Sequence, residues 1–232
     1  MLRNVLAMRT QFTKKKSDDL REIRHVIFDM DGTLVENMEL IVRSVNFAVK
    51  DLVGKEFSRQ ELYSRFGRTL EQIVADLVPA RDRKSAVHSY HAYYREHFKE
   101  LASVYGGIPA LISQLQNAKI GMAIYTGSDG RMTKTTLELS GLQEFFHVVV
   151  TADDVSEAKP DPEGLIRTLD LIRGIREHSI YLGDSVRDIQ AAKRASMGSA
   201  AALWGFGKPA VLRRCGPDFA FENPLDAIHQ LT

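Results

Sequence analysis

Apolar residues recur along the chain at two spacings, and each spacing predicts one kind of secondary structure. Short unbroken apolar runs predict buried strands, and the first of these runs is His25–Phe28. Apolar positions that repeat every three or four residues predict helices between the runs. The later predicted strands are residues 120–125, 145–150, 179–182, 199–203 and 218–221. The predicted helices that alternate with them are residues 108–116, 131–139, 161–172, 186–195 and 225–231.

The order of these elements predicts the fold and its division into parts. Strands that alternate with helices indicate an α/β protein with a doubly wound, Rossmann-like parallel sheet that is covered on both faces. Before this alternation resumes, the first strand is followed by four segments of helical spacing, at residues 36–52, 58–66, 69–77 and 81–101. We therefore expect three parts, which are an N-terminal extension (1–22), an α/β core domain (23–35 and 105–232) and an inserted all-α cap domain (36–104).

Two acidic residues follow the first predicted strand directly, in the segment Phe28-Asp29-Met30-Asp31-Gly32-Thr33-Leu34. Asp29 and Asp31 stand where the apolar run ends, so we expect both at the C-terminal edge of the sheet, where open α/β sheets bind ligands. Carboxylates one residue apart repel each other unless a cation or a shared proton holds them. Mg²⁺ accepts such oxygens as ligands. Taken alone, the segment also fits an Asp-Gly turn with solvated acids.

Polar groups of a distinct kind follow each of the later predicted strands. Thr126 and Gly127 follow the second strand, where a hydroxyl and backbone N–H groups can bind a phosphate oxygen. Lys159 follows the third strand and can offset the charge of carboxylates and a phosphate. Asp184 follows the fourth strand and can complete the oxygen ligands of a metal. Asp188 lies one helical turn further on, faces the same way, and can accept a hydrogen bond from the site.

In this order, these residues resemble the four motifs of the haloacid dehalogenase (HAD) superfamily, most of whose members are phosphatases. The motifs are DxDGT, a threonine after strand two, a lysine after strand three and GDxxxD after strand four. The resemblance extends from about residue 23 to the end of the chain. The sequences KPDP and GDSxxD, together with a helical insertion after the first motif, are most similar to the phosphoglycolate phosphatase branch.

The resemblance implies a phosphatase that acts on a small phosphorylated metabolite, with 2-phosphoglycolate as the first candidate. It implies that Asp29 attacks phosphorus and forms an aspartyl-phosphate. It makes Asp31 the acid that protonates the leaving oxygen and the base that later activates water. It also implies a Mg²⁺ cofactor held by Asp29, the backbone carbonyl of Asp31 and Asp184.

The same resemblance implies roles for four further residues. Thr126, the N–H of Gly127 and Lys159 would hold the remaining phosphate oxygens. Asp188 would support the residues that contact the metal and the phosphate. Arg68 lies between two predicted cap helices and could reach an anionic group of the substrate. A solvated arginine fits that position equally well.

Several alternatives remain open on the sequence. A dehalogenase needs no acid at Asp31, and a β-phosphoglucomutase-type mutase carries a histidine that the stretch 38–41 lacks. Inorganic pyrophosphatase stays open because the same core serves that reaction. A regulatory or binding module with a decayed site would have lost at least one of the motif residues, and none is lost. Relatives often carry an acid and a small hydroxyl residue where this chain has Glu36-Asn37, which leaves the substrate undecided.

Composition limits the classes of partner and the compartment that we expect for the protein. The 232 residues carry a net charge of +1, which provides no bulk attraction to nucleic acid or to a membrane surface. No apolar run reaches the roughly 20 residues that span a bilayer. The single cysteine, Cys215, excludes an intrachain disulfide and favours the reducing cytoplasm. The basic stretch Met1 to Lys16 leaves organellar import as an alternative. Monomer and homodimer both remain open.

Overall fold

The computed structural model of the chain describes residues 23–65 and 68–231, so the predicted N-terminal extension lies outside the described residues. The strands of the described residues are β1 (His25–Phe28), β2 (Val35–Glu36), β3 (Ser103–Val104), β4 (Gly121–Tyr125), β5 (Val149–Val150), β6 (Ser179–Gly183), β7 (Gly198–Ala202) and β8 (Phe219–Phe221). Six of them form the main sheet in the order β5-β4-β1-β6-β7-β8, and every neighbouring pair is parallel.

Helices pack on both faces of this sheet. Val26 and Phe28 of β1 lie in one buried apolar cluster and Ile27 lies in another, because successive side chains of a strand point to opposite faces. The helices are α1 (Met38–Val53), α2 (Arg59–Tyr63), α3 (Leu70–Leu77), α4 (Arg83–Leu101), α5 (Ile108–Asn117), α6 (Gly130–Ser140), α7 (Glu163–Ile172), α8 (Val186–Arg194), α9 (Pro209–Arg214) and α10 (Pro224–Leu231). The predicted doubly wound parallel α/β fold is confirmed.

The segment between β2 and β3 contains four α-helices, α1 to α4, in its described residues, and we call it the helical insert (38–101). The side chains of Ser58 and Thr69 cap α2 and α3, and each takes part in a capping box. Tyr90, Tyr94 and Phe98 form the buried stripe of α4. These apolar side chains of the insert belong to the same buried cluster as Phe28 of the main sheet, so the insert and the sheet share one apolar interior.

Two short strands at the ends of the insert depart from the sequence prediction. Val35 pairs with Val104 and Glu36 with Ser103 in an antiparallel ribbon, so α1 begins at Met38 instead of residue 36. The expectation that residues 36–104 are all-α is wrong at both ends. A strand of two residues has no alternation of apolar and polar positions that a pattern could reveal.

Two further elements differ from their predicted form. The predicted strand at 145–150 is reduced to Val149–Val150, and Gln143–Phe145 forms a 3-10 helix. The apolar character of that run reflects packing instead, since the ring of Phe146 is buried and lies 5.8 Å from that of Phe28. The six-residue helix α9 was not predicted. None of the helices that the structure describes is long and apolar enough to cross a membrane.

Close packing of α7 on the sheet yields a prediction about stability. A Cβ atom on Gly164 would overlap the buried ring of Tyr125. We expect Gly164→Ala to lower the free energy of unfolding by about 1–3 kcal/mol, the usual cost of overpacking a core. Urea unfolding measures this change. Gly106→Ala is the control because a Cβ there meets nothing within 4 Å, and equal stability of the two variants would contradict the prediction.

Candidate active site

The site begins at the C-terminal ends of three adjacent strands of the main sheet, β4, β1 and β6. Strand β1 lies between β4 and β6, and the Asp29 N–H continues the ladder by donating to Leu182 O at 2.9 Å. Asp29 therefore leaves the sheet beside Asp184, which follows β6. Gly32 has a φ of +82°, and a Cβ at that position would overlap the Asp184 carboxylate. The turn after β1 can approach β6 this closely only because Gly32 has no side chain.

Lys159 is the central cation of the site. Its Nζ donates to Asp29 Oδ1 at 2.9 Å, to Asp188 Oδ1 at 2.7 Å and to the Tyr181 hydroxyl at 2.9 Å. Burial alone would lower the pKa of Lys159, but the carboxylates of Asp188 and Asp29 outweigh that effect and raise the pKa above its usual value. The lysine therefore remains charged while it is buried.

Three carboxylates gather around this single lysine. One oxygen from each of Asp29, Asp184 and Asp188 lies within 4.8 Å of the others, and all three side chains are buried. Burial raises the pKa of Asp184 well above its usual value, and the negative charges of Asp29 and Asp188 add to this effect. Burial likewise raises the pKa of Asp29, against the opposing effect of Lys159.

These residues fit a divalent cation in both charge and ligand type. Three ionised carboxylates against one ammonium group leave two negative charges, which one Mg²⁺ would neutralise. Carboxylate oxygens are the ligands that Mg²⁺ prefers. The Asp188 carboxylate is already engaged on both oxygens, since its Oδ2 accepts from the N–H and the hydroxyl of Ser185 at 2.9 and 2.6 Å. Asp188 therefore helps to fix the cluster. Asp184 accepts one short hydrogen bond, from Phe206 N at 2.6 Å, and one long one, from the Thr33 hydroxyl at 3.4 Å, so Asp29 and Asp184 are the better placed side-chain ligands.

The side chain of Asp31 turns away from this cluster. Its Oδ1 accepts from Asn37 Nδ2 and its Oδ2 accepts from Ser128 Oγ, both at 2.6 Å. Burial raises the pKa of Asp31, against the opposing effect of these two hydrogen bonds. This orientation leaves only the backbone carbonyl of Asp31 for a metal, which is the atom that the sequence interpretation assigned to it.

The predicted phosphate-binding residues border the same cavity as the aspartates. A cavity of about 320 Å³ lies between the sheet edge and the helical insert, and Thr126, Gly127 and Lys159 line it. The hydroxyl oxygen of buried Thr126 accepts from the N–H of Ser128 at 3.1 Å, so its hydrogen remains for a phosphate oxygen. The structure thus brings together all the predicted site residues of the α/β core.

The wall that the helical insert contributes to the cavity is largely apolar or aromatic, formed by Ile41, Val45, Tyr63, Leu70, Ile73 and Tyr90. Arg68 also borders the cavity, but its guanidinium makes two hydrogen bonds to the Asp76 carboxylate of α3. A substrate would have to compete with Asp76 for Arg68. The structure therefore places this predicted residue at the cavity and shows it already engaged.

Sequence reasoning missed several residues that hold the site together. The Tyr181 hydroxyl donates to Tyr125 O at 2.8 Å while it accepts from Lys159. A tyrosine inside an apolar strand is a detectable signal, because its buried hydroxyl needs a partner. The N–H of Phe206 donates to Asp184 Oδ2 at 2.6 Å, and a backbone donor of this kind has no signature in the sequence.

A parallel sheet edge that combines buried carboxylates, one lysine and hydroxyl groups is suited to binding a phosphoryl group. Comparison with known proteins assigns the arrangement to a family. The model of the haloacid dehalogenase-like hydrolases matches residues 26–202. The chain therefore belongs to the haloacid dehalogenase-like hydrolase family, and the resemblance found in its motifs is confirmed.

Individual relatives agree with this assignment. The chain is 31% identical over 208 residues to pyrophosphatase PpaX of Listeria innocua, covering 89% of this chain and 95% of the relative. It is 29% identical over 206 residues to pyrophosphatase PpaX of Bacillus cereus, with the same coverage. A predicted phosphoglycolate phosphatase from Haemophilus somnus shares the fold, with a TM-score of 0.83, 20% identity and coverage of 92% of this chain and 100% of that one. The two pyrophosphatases agree with the phosphatase class predicted from the motifs, and the Haemophilus somnus structure agrees with the predicted fold.

The buried charge cluster yields a second prediction. We expect Lys159→Met to lower the free energy of unfolding by about 3–5 kcal/mol in EDTA, because two buried carboxylates lose their cation. Urea unfolding measures the change. Lys134→Met is the control, since Lys134 is exposed and lies 3.9 Å from Glu138. The same small effect for both variants would show that the carboxylates do not depend on Lys159.

Proposed function

We propose that the protein is a Mg²⁺-dependent phosphatase that hydrolyses a small phosphorylated metabolite through an aspartyl-phosphate on Asp29. The observation that carries this proposal is the position of Asp29, a buried carboxylate at the floor of the cavity. Lys159 holds its Oδ1 at 2.9 Å, and Thr126 and Gly127 border the same space. A nucleophile, a cation and phosphate-binding groups therefore face one cavity.

The residues divide the reaction into two transfers of the phosphoryl group. An Asp29 oxygen bonds to phosphorus as the bond to the leaving oxygen breaks, and Asp31 donates a proton to that oxygen. Asp31 then takes a proton from water, which attacks phosphorus and releases phosphate and free Asp29. Thr126, Gly127 and Lys159 stabilise the phosphate oxygens during both steps. Asp29, Asp184 and the Asp31 carbonyl would hold Mg²⁺, which when bound supplies positive charge to the phosphoryl group.

Two candidate substrates have separate support. The KPDP and GDSxxD motifs and the helical insert favour 2-phosphoglycolate, the first candidate from the family resemblance. The pyrophosphatases PpaX, at 31% and 29% identity over 95% of their length, favour inorganic pyrophosphate. A phosphomutase remains the further enzymatic alternative, and a regulatory or binding module remains the non-enzymatic one.

Phosphate release from a panel of compounds tests the proposal. The panel contains 2-phosphoglycolate, pyrophosphate and β-glucose 1-phosphate, each with Mg²⁺ and with EDTA. We expect release that requires Mg²⁺ and strongly favours one compound, which then identifies the substrate. Isomerisation of the sugar phosphate without phosphate release would indicate a mutase instead. No turnover of any compound by folded protein would favour the regulatory or binding module.

Replacement of the nucleophile provides a further prediction. We expect Asp29→Asn to reduce phosphate release to background, because an amide cannot form the aspartyl-phosphate. The assay uses the best compound of the panel at saturating Mg²⁺. Asp51→Asn is the control, since Asp51 is exposed on α1 and is not among the residues that line the cavity. More than a trace of activity in Asp29→Asn would contradict the assignment of the nucleophile.

A further inference from the structure

The side chain of Asn37 does not cap the helix that it precedes. Asn37 is the N-cap residue of α1, where asparagine usually accepts a hydrogen bond from the first turn of its helix. In this structure its side chain makes no capping hydrogen bond. The side chain is completely buried, and its Nδ2 donates to Asp31 Oδ1 at 2.6 Å and to the Tyr94 hydroxyl at 2.9 Å.

The orientation of the Asn37 amide follows from the carboxylate that it contacts. If the amide were flipped, its carbonyl oxygen would face Asp31 Oδ1, and an ionised carboxylate has no hydrogen to donate to it. The observed orientation leaves Asn37 Oδ1 buried without a hydrogen-bond partner among the described residues. An unpaired buried carbonyl oxygen costs stability. The unpaired Oδ1 of Asn37 therefore lowers stability, while the Nδ2 of the same side chain holds Asp31.

The contact continues beyond Asn37 into two helices. The Tyr94 hydroxyl of α4 lies 2.9 Å from Thr136 Oγ1 of α6, at hydrogen-bond distance. Tyr94 and Thr136 are both fully buried. Since α4 belongs to the helical insert and α6 follows β4 in the α/β core, this chain of hydrogen bonds joins the two parts through the side chain of Asn37. We call it the Asp31–Thr136 chain, and its members are Asp31, Asn37, Tyr94 and Thr136.

We propose that Asn37 is a positioning residue that orients the carboxyl group of Asp31 toward the leaving oxygen of the substrate. Tyr94 and Thr136 hold Asn37 in place, so that the orientation of Asp31 depends on the helical insert being packed as it is here. Asn37 does not contact the reacting atoms and acts only through Asp31. The inference rests on the proposed function, because it takes Asp31 to be the acid.

Two aryl phosphates of similar size provide a readout that a purely structural role would not affect. Phenyl phosphate releases a more basic oxygen than 4-nitrophenyl phosphate, so its cleavage depends more strongly on an acid. The parameter to compare is kcat/KM, because it reports the steps up to the first irreversible one and leaves out later hydrolysis of the aspartyl-phosphate. General acid catalysis contributes about 10²–10⁴-fold to such steps.

We expect Asn37→Ala to lower kcat/KM for phenyl phosphate roughly tenfold more than for 4-nitrophenyl phosphate. Tyr94→Phe keeps the ring and removes only the hydroxyl, and it should show the same bias to a smaller extent. This second variant tests the proposal even if Asn37→Ala does not fold. Equal losses for the two substrates in both variants would overturn the proposal, since they would indicate a general structural effect.

Asn46→Ala is the matched control because it changes the same residue type in the same helix. It removes two hydrogen bonds, to Phe57 N and Phe57 O, at 2.7 and 2.9 Å, without touching Asp31. We expect it to lower the melting temperature and to leave the ratio of the two kcat/KM values unchanged. The same bias in this variant would overturn the role of Asn37. If the unmodified protein cleaves neither aryl ester nor any compound of the panel, the proposed function fails instead.

Discussion

The excess of buried negative charge around Lys159 is the constraint on which the site depends. Carboxylates taken out of water are unstable unless hydrogen bonds and cations compensate them. Asp29 and Asp188 share one ammonium group, and an Asp184 oxygen lies within 4.8 Å of an oxygen of each. The donors of Ser185 and Phe206 supply only part of what water would provide. The proposed divalent cation would offset the remaining deficit in positive charge. The same deficit explains why so much of the surrounding structure serves to hold these side chains still.

The topology of the sheet makes this concentration of charge possible. Because β1 lies between β4 and β6, the chain segments that leave these three strands meet at one edge. Lys159 arrives from the far side of β4, after the edge strand β5, and reaches the carboxylates through its long side chain. Gly183 allows the approach of Asp188, since a Cβ there would overlap that side chain. The fold brings distant residues together, and the glycines set how closely they meet.

The sequence predicted features of the fold that leave a local pattern of apolar and polar residues, and it did not predict features that leave no such pattern. The ends of β1 and β6 were predictable because a buried apolar run stops abruptly at an acid, as at Asp29 and Asp184. The β2–β3 ribbon was not predictable, since two residues define no period. The bond between Asn37 and Tyr94 joins residues 57 positions apart and also left no local signal. The unusual Glu36-Asn37 pair was noticeable, but only the structure shows which atom Asn37 holds.

The position of the helical insert in the chain explains why Asp29 and Asp31 are held in different ways. The insert begins two residues after β2, and β2 itself follows the turn that carries Asp31, so any shift of the insert acts on a point close to that acid. Asp29 is protected from such shifts because the ladder of β1 and the Lys159 ammonium both hold it from the sheet side. Asp31 is held by Ser128 from the sheet side and by Asn37 from the insert side. The structure therefore separates the proposed nucleophile, which is held from the sheet side alone, from the proposed acid, which is held from the sheet and from the helical insert.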